Sequence, residues 1–344
     1  MSEAQPVVGE LSSSAVIVVA TIEPGAQDAV RAALPDFGDL VDSVGFGYPT
    51  DELSCVVAFG SDAWDRLFGG PKPAELHPFV PLEGPRYAAP ATPGDLILHV
   101  RAENLGLCFD LARRLLDRLG SAVTVVDETH GFRYYDRRDL LGFVDGTANP
   151  HGTGALDAAL IPPGEPFAGG SYLIVQKYVH DLAAWNAISV SEQERVIGRS
   201  KLENIEMPDG VKPADSHVAV NTVLDEDGEE VDIVRFNMPF GELGAGEFGT
   251  YFIGYAASAA TTEEMLRSMF LGTEDAPRGD RILDFSTAVT GTLFFAPPTD
   301  FLDDPPEPGG RAAERLPRFA DPAAAPVSGS DGSLRIGSLK ASQP

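Results

Sequence analysis

Two segments of the sequence repeat one order of elements: a strand-like run, a short turn, an amphipathic helix and a closing glycine. Residues 95–120 read DLILHVRAENLGLCFDLARRLLDRLG, and residues 249–272 read GTYFIGYAASAATTEEMLRSMFLG. In both segments the glycine follows the last helical turn, where a residue with positive φ commonly ends a helix. The repeat predicts two copies of one α+β unit and therefore a duplicated fold.

Strand signals in the first half predict the topology of this unit. The strand-like runs are AVIVVATI (15–22), LSCVVAFG (53–60), DLILHVRA (95–102) and AVTVVDETHGF (122–132). The segment VDSVGFGYP precedes the second run across Thr50–Asp51, and the two read as a hairpin. The order strand–helix–strand–strand–helix–strand is that of ferredoxin-like folds. SYLIVQKYVH, residues 171–180, begins the same order in the second half.

The predicted fold class is α+β, with tandem ferredoxin-like units at residues 1–145 and 146–300, antiparallel sheets and peripheral helices. Residues 301–330 are rich in Pro, Ala, Gly and charge, which predicts a flexible linker. Aliphatic side chains return after it, at Leu334, Ile336 and Leu339. Residues 331–344 are therefore predicted to be a docking peptide.

The charge balance excludes several classes of partner. Lys and Arg number 25 against 52 Asp and Glu, which gives a formal net charge of −27. Such a surface repels phosphate backbones and anionic lipids, so we expect neither nucleic acid nor a membrane as a partner. The N-terminus lacks the pattern of a secretion signal, so a cytosolic protein is expected. Cys55 and Cys108 lie in apolar segments and are predicted to be buried thiols, and the sequence has no CxxCH motif for covalent haem attachment.

Three short segments carry side chains suited to chemistry. GFVDGTANP (142–150) holds Asp145 between glycines, ADSHVAVNT (214–222) places His217 in a small apolar run, and IVRFNMPFG (233–241) contains Arg235 and Asn237. On a strand, Arg235 and Asn237 share one face. Each segment also has an ordinary interpretation: a turn, a hydrogen-bonded structural histidine and a solvated strand face.

Taken together, the three segments resemble the dye-decolourising peroxidases. GFVDGTANP matches the GxxDG motif of that family, and SHV and VRFNMPFG resemble its proximal-histidine and distal-arginine segments in the same order. RFNMPFG is similar to the compact bacterial members called type B, and the resemblance covers residues 10–298. It implies one b-type haem per chain, reduction of hydrogen peroxide through a ferryl intermediate, and oxidation of dyes, phenols or other small donors.

The resemblance also implies a role for each side chain. His217 would be the proximal ligand of the haem iron, and Asp145 would move a proton between the two peroxide oxygens. Arg235 would stabilise the negative charge that develops on peroxide. Its contribution to the reaction is expected to be at least equal to that of Asp145. Asn237 would orient peroxide or water.

Further residues are expected around the cofactor. Gly146 and Thr147 are predicted to contact it, because glycine lets the backbone pass close to a porphyrin. Arg199 is the candidate partner of a haem propionate, with a solvated helix-end charge as the alternative. Asp284 is a candidate for the group that hydrogen-bonds the proximal histidine. Arg235 is the expected companion of the buried Asp145 carboxylate.

The tail has a resemblance of its own. DGSLRIGSLK, residues 331–340, is similar to the C-terminal targeting peptide of encapsulin cargo proteins. This implies that the chain is packaged in an encapsulin nanocompartment in the cytoplasm, with the shell protein as its partner, and a homo-oligomer is expected. An unstructured tail is the alternative.

Three other functions compete with the peroxidase. One is a haem-binding or haem-handling protein with little peroxidase turnover. Another is an enzyme similar to chlorite dismutases, although that family lacks the GxxDG aspartate. A non-haem interaction module is the third, because the tail by itself suggests assembly.

Overall fold

The structure is a computed structural model that describes residues 3–224 and 228–308. Segments rich in β-branched and aromatic residues form its strands. The strands are β1 (Ser14–Ile22), β2 (Ser54–Gly60), β3 (Leu82–Glu83), β4 (Ala88–Ala89), β5 (Leu96–Ala102), β6 (Val123–Phe132), β7 (Ser171–His180), β8 (Val234–Arg235), β9 (Met238–Glu242), β10 (Glu247–Ala256), β11 (Ser286–Ala288) and β12 (Thr292–Ala296). Within the described ranges, ten of these strands form one antiparallel sheet, and β3 pairs separately with β4.

Amphipathic segments between the strands form the helices. These are α1 (Gln27–Ala33), α2 (Asp36–Gly45), α3 (Ser61–Leu67), α4 (Leu105–Leu119), α5 (Thr153–Ala159), α6 (Leu182–Ala187), α7 (Val190–Ile197), α8 (His217–Asn221), α9 (Ala259–Leu271) and α10 (Thr299–Asp303). Short 3₁₀ turns occur at Pro49–Asp51, Gly120–Ala122, Tyr135–Arg137 and Arg281–Asp284. None of the helices in the described part of the chain is long and apolar enough to cross a bilayer.

The sheet confirms the duplicated ferredoxin-like fold. Its strand order is β6-β1-β5-β2-β12-β7-β10-β8, with β11 pairing with β7 and β9 pairing with β10. The four strands of the first half are β1, β2, β5 and β6, and those of the second half are β7, β8, β10 and β12. Counted along the chain within each half, they lie side by side in the order fourth, first, third, second. The halves join where β12 pairs with β2, with Phe295 opposite Phe59. The division at residues 145 and 146 stays a prediction.

The two faces of the sheet bury different apolar layers. Val16 and Val18 of β1 pack in the core that contains the helices, whereas Ala15 and Ile17 point to the opposite layer. The sheet is strongly curved, and Gly131 of β6 at one edge packs against the side chain of Met238 in β9 at the other. This curvature encloses the second layer. The candidate site lies on the helix side, in the second half of the chain.

The predicted hairpin is wrong in its first strand. Most of VDSVGFGYP belongs to α2, and only LSCVVAFG forms a strand, β2, which pairs with β5 and β12. Phe37, Leu40, Val41 and Val44 all pack on the same core. Their spacing of three to four residues is the helical period, which outweighs the β-branched composition.

The start of the predicted linker is also wrong. Residues 301–303 belong to α10, in which Phe301 stacks on Trp64 with ring centroids 5.0 Å apart and Leu302 is buried. Residues 309–344, with most of the linker and the docking peptide 331–344, lie outside the described residues. Cys55 and Cys108 are free and buried, as predicted.

Candidate active site

A large cavity lies between the second half of the sheet, helices α8 and α9, and the loop that follows β6. Its space amounts to about 1500 Å³, including the part that is open to solvent. Concave sites with a mostly apolar wall and a few polar side chains are typical of cofactor and small-molecule binding. The apolar part of its wall contains Ile197, Phe252, Met265, Leu266, Met269 and Ile282.

Apart from Asp284, the cavity wall contains every residue that the sequence predicts for the site. These residues are Asp145, Gly146, Thr147, Arg199, His217, Arg235 and Asn237. They come from separate elements: the loop after β6, the segment after α7, the first residue of α8, and the chain through β8 and β9. The fold therefore brings the three predicted segments to one place.

His217 is held by a buried carboxylate. Its Nδ1 lies 2.6 Å from Oδ2 of Asp280, whose side chain has no solvent exposure. Asn221, one turn along α8, donates to the His217 carbonyl at 2.8 Å. Burial acts to lower the pKa of His217, but the charge of Asp280 and its hydrogen bond raise the pKa above the ordinary value. With Nδ1 engaged in this way, Nε2 is the nitrogen available to a metal ion.

The candidate Asp284 is therefore wrong, since Asp280 hydrogen-bonds the histidine. Asp280 also caps the following 3₁₀ turn, because its Oδ1 accepts the N–H of Ile282 at 2.9 Å. Asp284, at the end of that turn, instead accepts hydrogen bonds from Arg86 at 2.6 Å and from the hydroxyl of Tyr87 at 2.8 Å. One 3₁₀ turn thus directs the two carboxylates to different surroundings.

Asp145 is bound through one of its two oxygens. Its Oδ1 accepts the N–H of Gly146 at 2.7 Å and the side-chain amide of Asn237 at 3.1 Å. Its Oδ2 is buried and has no hydrogen-bond partner among the residues that the structure describes. Burial raises the pKa of this carboxyl, although the Gly146 N–H, the Asn237 amide and the Arg235 charge act in the opposite direction.

The expected ion pair between Asp145 and Arg235 is therefore wrong. Asn237 is the side-chain partner of the carboxylate, while Nη2 of Arg235 lies 3.6 Å from Sδ of Met265 in α9. Burial lowers the pKa of Arg235, and the charges of Asp232 and Asp145 act to raise it. The guanidinium thus acts on Asp145 through its field rather than through a direct hydrogen bond.

Arg235 and Asn237 share one face of the chain, as the alternation predicts. Val234, Phe236 and Met238 are buried in the interior layer on the opposite side. Oδ1 of Asn237 is buried and, within the described part of the chain, accepts no hydrogen bond. The cavity wall therefore offers two acceptors without partners, Oδ2 of Asp145 and Oδ1 of Asn237.

Arg199 reaches the cavity wall with a carboxylate already beside it. Its Nη2 lies 2.9 Å from Oε2 of Glu206, and its Nη1 donates to the carbonyl of Asn204 at 3.0 Å. The side chain of Asn204 donates to Thr147 Oγ1 at 2.9 Å. Asn204 thus links Arg199 to Thr147, and an anionic ligand here would compete with Glu206 for the guanidinium.

Gly146 has two local reasons for being glycine. Its φ is +72°, and a Cβ at this position would lie 2.6 Å from Cδ1 of Leu11. The positive φ therefore favours glycine, and any larger residue would also require the Leu11 side chain to move. The expected approach to a porphyrin stays a prediction.

Several cavity residues were not found by the sequence analysis. Asp139 lines the cavity, its Oδ1 accepts the N–H of Phe143 at 2.9 Å, and burial with the nearby charge of Asp145 raises its pKa to about 7. His180 lies between Thr250 at 2.9 Å and Ser286 at 2.8 Å, and burial lowers its pKa to about 4. Asn149 contacts the backbone of Arg235. Only Asn149 had a sequence signal, since it lies inside GFVDGTANP.

Comparison with known proteins identifies the family. Residues 4–133 match the family described as Dyp-type peroxidase, N-terminal, and residues 136–301 match Dyp-type peroxidase, C-terminal. The chain belongs to the Dyp-type peroxidase family. This confirms the resemblance stated above, so the chain is a haem-dependent peroxidase and the cavity is its candidate haem site.

Individual relatives of this Dyp-type peroxidase agree along almost the whole chain. A dye-decolorizing peroxidase of Mycobacterium tuberculosis is 57% identical over 339 residues, which cover 98% of this chain and 97% of the relative. The cryo-EM structure of the encapsulated DyP-type peroxidase from Mycobacterium smegmatis is 58% identical, has a TM-score of 0.87, and covers 89% of this chain and 99% of its own. A DypB variant of Rhodococcus jostii RHA1 in complex with heme is 53% identical, has a TM-score of 0.85, and covers 88% and 98% respectively.

Proposed function

We propose that this Dyp-type peroxidase binds one b-type haem in the cavity, reduces hydrogen peroxide there, and oxidises dyes, phenols or other small electron donors. One observation carries the proposal. A histidine held by a buried carboxylate meets an aspartate, an arginine and an asparagine in one cavity, although these residues are spread over the segment from 145 to 280.

The residues present fit a haem. Nδ1 of His217 is bound by Asp280, which leaves Nε2 for a metal ion, and the side chain lines the cavity. The apolar wall suits a porphyrin, and the unpaired oxygens of Asp145 and Asn237 suit a protic ligand such as hydrogen peroxide. His217 would hold the iron, with Gly146, Thr147 and Arg199 around the rest of the group. When bound, haem supplies the redox chemistry, taking oxidising equivalents from hydrogen peroxide and passing them to the donor.

The side chains of the cavity supply the proton transfer. Ionised Asp145 accepts a proton from one oxygen of hydrogen peroxide on its free Oδ2 and delivers it to the oxygen that leaves as water. A placed acid–base group of this kind contributes about 10²–10⁴ in rate. Asn237 holds the other carboxylate oxygen, and its own Oδ1 can accept the second O–H of the peroxide. Arg235 stabilises the negative charge that remains after deprotonation.

The pH dependence of the peroxide reaction follows from burial of Asp145. The base form is needed, and burial raises its pKa above the ordinary value of 3.8. The rate should therefore fall as the pH falls through this raised pKa. Asp145→Asn should slow the reaction and remove this decrease in rate at acidic pH, the acidic limb of the pH–rate profile. Stopped-flow measurements of peroxide consumption at several pH values would show both effects. An unchanged acidic limb in the variant would assign it to another group.

Haem binding is tested at His217. His217→Ala should weaken haem binding and shift the Soret band, because it removes the imidazole that Asp280 orients. His130→Ala is the control, since His130 is an exposed residue of β6 paired with Glu128. If His217→Ala has the haem spectrum and affinity of the unmodified protein, the assignment of the ligand is wrong.

Peroxide chemistry is tested at Arg235. Arg235→Leu should keep haem bound but slow the reaction with peroxide by about 10²–10³, the usual loss when one charge-stabilising donor is removed. Arg86→Leu is the matched control, because Arg86 pairs with Asp284 away from the cavity. Wild-type kinetics in Arg235→Leu would reject its role. Haem binding without turnover in the unmodified protein would favour a haem-handling function instead.

We also propose that the chain is encapsulin cargo, located inside a nanocompartment in the cytoplasm. Two facts support this: the sequence DGSLRIGSLK at residues 331–340, and the likeness to a peroxidase described as encapsulated. Aliphatic anchors in a short peptide suit an apolar groove on a shell protein.

Deleting residues 331–344 should abolish co-purification with the shell protein and leave peroxidase activity intact. A chain with Leu334, Ile336 and Leu339 replaced by Ser keeps the length of the tail and should behave like the deletion. Continued packaging of either variant would contradict the cargo proposal. The homo-oligomer stays a prediction, which the mass of the purified protein in solution would test.

A further inference from the structure

The side chain of Asn149 binds both backbone groups of one residue, Arg235. Oδ1 of Asn149 accepts the Arg235 N–H at 2.9 Å, and Nδ2 donates to the Arg235 carbonyl at 2.7 Å. In an antiparallel sheet, two backbone groups of one residue are bound in this way by a residue of the neighbouring strand. A single primary amide therefore takes the place of a strand.

The position of Arg235 in the sheet explains why such a partner is needed. Arg235 lies opposite Gly254 of β10, and it is the next residue, Phe236, whose N–H donates to Ile253 of β10 at 2.9 Å. In this register the N–H and carbonyl of Arg235 point away from β10, towards the open side of the short strand β8. Buried backbone groups need hydrogen bonds, and Asn149 supplies them.

Asn149 belongs to the loop that also carries Asp145. Its N–H donates to the Gly146 carbonyl at 3.2 Å, which closes the turn directly after Asp145. On the strand side, Asn237 donates to Asp145 at 3.1 Å. Two contacts thus join the loop to the strand, Asn149 to the Arg235 backbone and Asn237 to Asp145. Together they set the distance between the Asp145 carboxylate and the backbone of Arg235.

The opposite face of the same strand is also held. The ring of Phe236, between Arg235 and Asn237, has the Arg101 guanidinium 3.9 Å from its centroid. It packs edge-on against Tyr255 at 5.8 Å. These interior contacts hold the strand against rotation about its axis. The position of the strand relative to the loop that bears Asp145 then depends on the contact with Asn149.

We propose that Asn149 is a positioning residue, whose amide sets the location of the Arg235 guanidinium relative to Asp145 for the reaction with peroxide. The inference rests on the proposed function, because it acts through Arg235. Since misplacement of a catalytic group by about 1 Å can cost on the order of 10²-fold, loss of this contact should be visible in the rate.

The test combines amide exchange with a double-mutant cycle on haem-loaded protein. Asn149→Ala, Arg235→Leu and the double variant are compared by hydrogen–deuterium exchange of residues 233–240 and by the rate with hydrogen peroxide. Asn104→Ala is the matched control, because Asn104 also binds a backbone N–H, that of Gly106 at 2.9 Å, but at the start of α4.

Asn149→Ala should speed exchange of the Arg235 amide and lower the peroxide rate by about 10- to 100-fold. It should have no further effect on the rate in the Arg235→Leu background, and Asn104→Ala should change neither readout. Asn149→Asp keeps the acceptor oxygen and should restore slow exchange of this amide. If Asn149→Ala does not fold, Asn149→Ser, which is too short to reach both groups, takes its place in the cycle.

Two results would overturn the inference: unchanged exchange at residues 233–240, or the same loss of rate from Asn149→Ala whether or not Arg235 is present. Failure of the proposed function has a different signature. In that case Arg235→Leu by itself would react with peroxide at the wild-type rate.

Discussion

At the scale of single residues, the cavity keeps two carboxylates of one loop under different conditions. Asp145 is bound by an amide and a backbone N–H, whereas Asp139 has a pKa of about 7 because of burial and the neighbouring Asp145 charge. Folding therefore favours the protonated form of Asp139. Its contribution to stability is complete below the ordinary pKa of 3.8 and is lost as the pH rises through about 7.

Asp139→Asn should remove this pH dependence while keeping an oxygen for the Phe143 N–H. The difference between 3.8 and about 7 corresponds to an upper bound of about 4 kcal/mol, which water in the cavity reduces. Relative to the unmodified chain, the variant should gain stability from pH 4 to pH 8, as urea unfolding at several pH values would measure. Asp42→Asn, at an exposed position of α2, is the matched control. A gain that does not vary with pH would contradict the prediction.

Gly146 allows a comparison of two glycines that both have positive φ. Gly246 has a φ of +67° with no atom within 4 Å of a Cβ, whereas a Cβ on Gly146 would overlap the tip of the Leu11 side chain. Gly246→Ala should cost about 1–2 kcal/mol of unfolding free energy from backbone strain. Gly146→Ala should cost more, by up to about 1 kcal/mol, because the Leu11 side chain has to move. Leu11→Ala should recover part of that extra loss in a double variant; equal losses for the two glycines would exclude the role of Leu11.

At the scale of elements, the segment through β8 and β9 is the part of the sheet that makes the site. Alternation puts Arg235 and Asn237 in the cavity and Phe236 in the interior layer, where Arg101 covers its ring. The interior layer contains residues of both halves, and Arg101 of the first half contacts a strand whose opposite face bears Arg235 and Asn237. Packing across the sheet therefore couples the N-terminal unit to the catalytic side chains.

Phe236→Leu tests this coupling against Phe240→Leu, which alters the same interior layer further along β9. Both rings are buried, and each has a cation over its face, Arg101 and Lys177 respectively. Each substitution should cost about 1 kcal/mol of stability. Only Phe236→Leu should also slow the reaction with peroxide, because its neighbours are Arg235 and Asn237. Equal rates for the two variants in stopped-flow measurements would show that the interior ring does not position the site.

At the scale of the whole molecule, pairing of β2 with β12 makes one sheet from two units. An aromatic cluster covers this junction, in which Trp64 meets Phe167, Phe295 and Phe301 at centroid distances of 5.0–5.6 Å. The first half therefore buries its tryptophan on side chains of the second. We expect the two halves to unfold together rather than as independent domains.

The two tryptophans can test this, because Trp64 lies in the first half and Trp185 in the second. In Trp64→Phe and Trp185→Phe, the remaining indole reports on one half, and fluorescence should follow the same urea midpoint as far-UV circular dichroism of the same variant. Phe295→Ala should lower both midpoints, with a loss of about 3–5 kcal/mol. Separate transitions would show that the halves unfold independently.

The amino-acid pattern predicts the repeated unit and the face that Arg235 and Asn237 share, and the resemblance to a known family adds seven of the residues that line the cavity. The repeat and the shared face follow from local periods: two residues for a strand, 3.6 for a helix, and a glycine where φ is positive. The same local rule corrects the predicted hairpin, since the apolar spacing of α2 is helical.

Which side chains become partners depends on how the elements pack in three dimensions. His217 pairs with Asp280 rather than Asp284, Asp145 pairs with Asn237 rather than Arg235, and Asn149 binds the backbone of Arg235. Each partner lies 63 or more residues away in the chain, and the choice between Asp280 and Asp284 depends on the direction of one 3₁₀ turn. No period in the sequence encodes such choices, because they depend on how separate elements pack against one another.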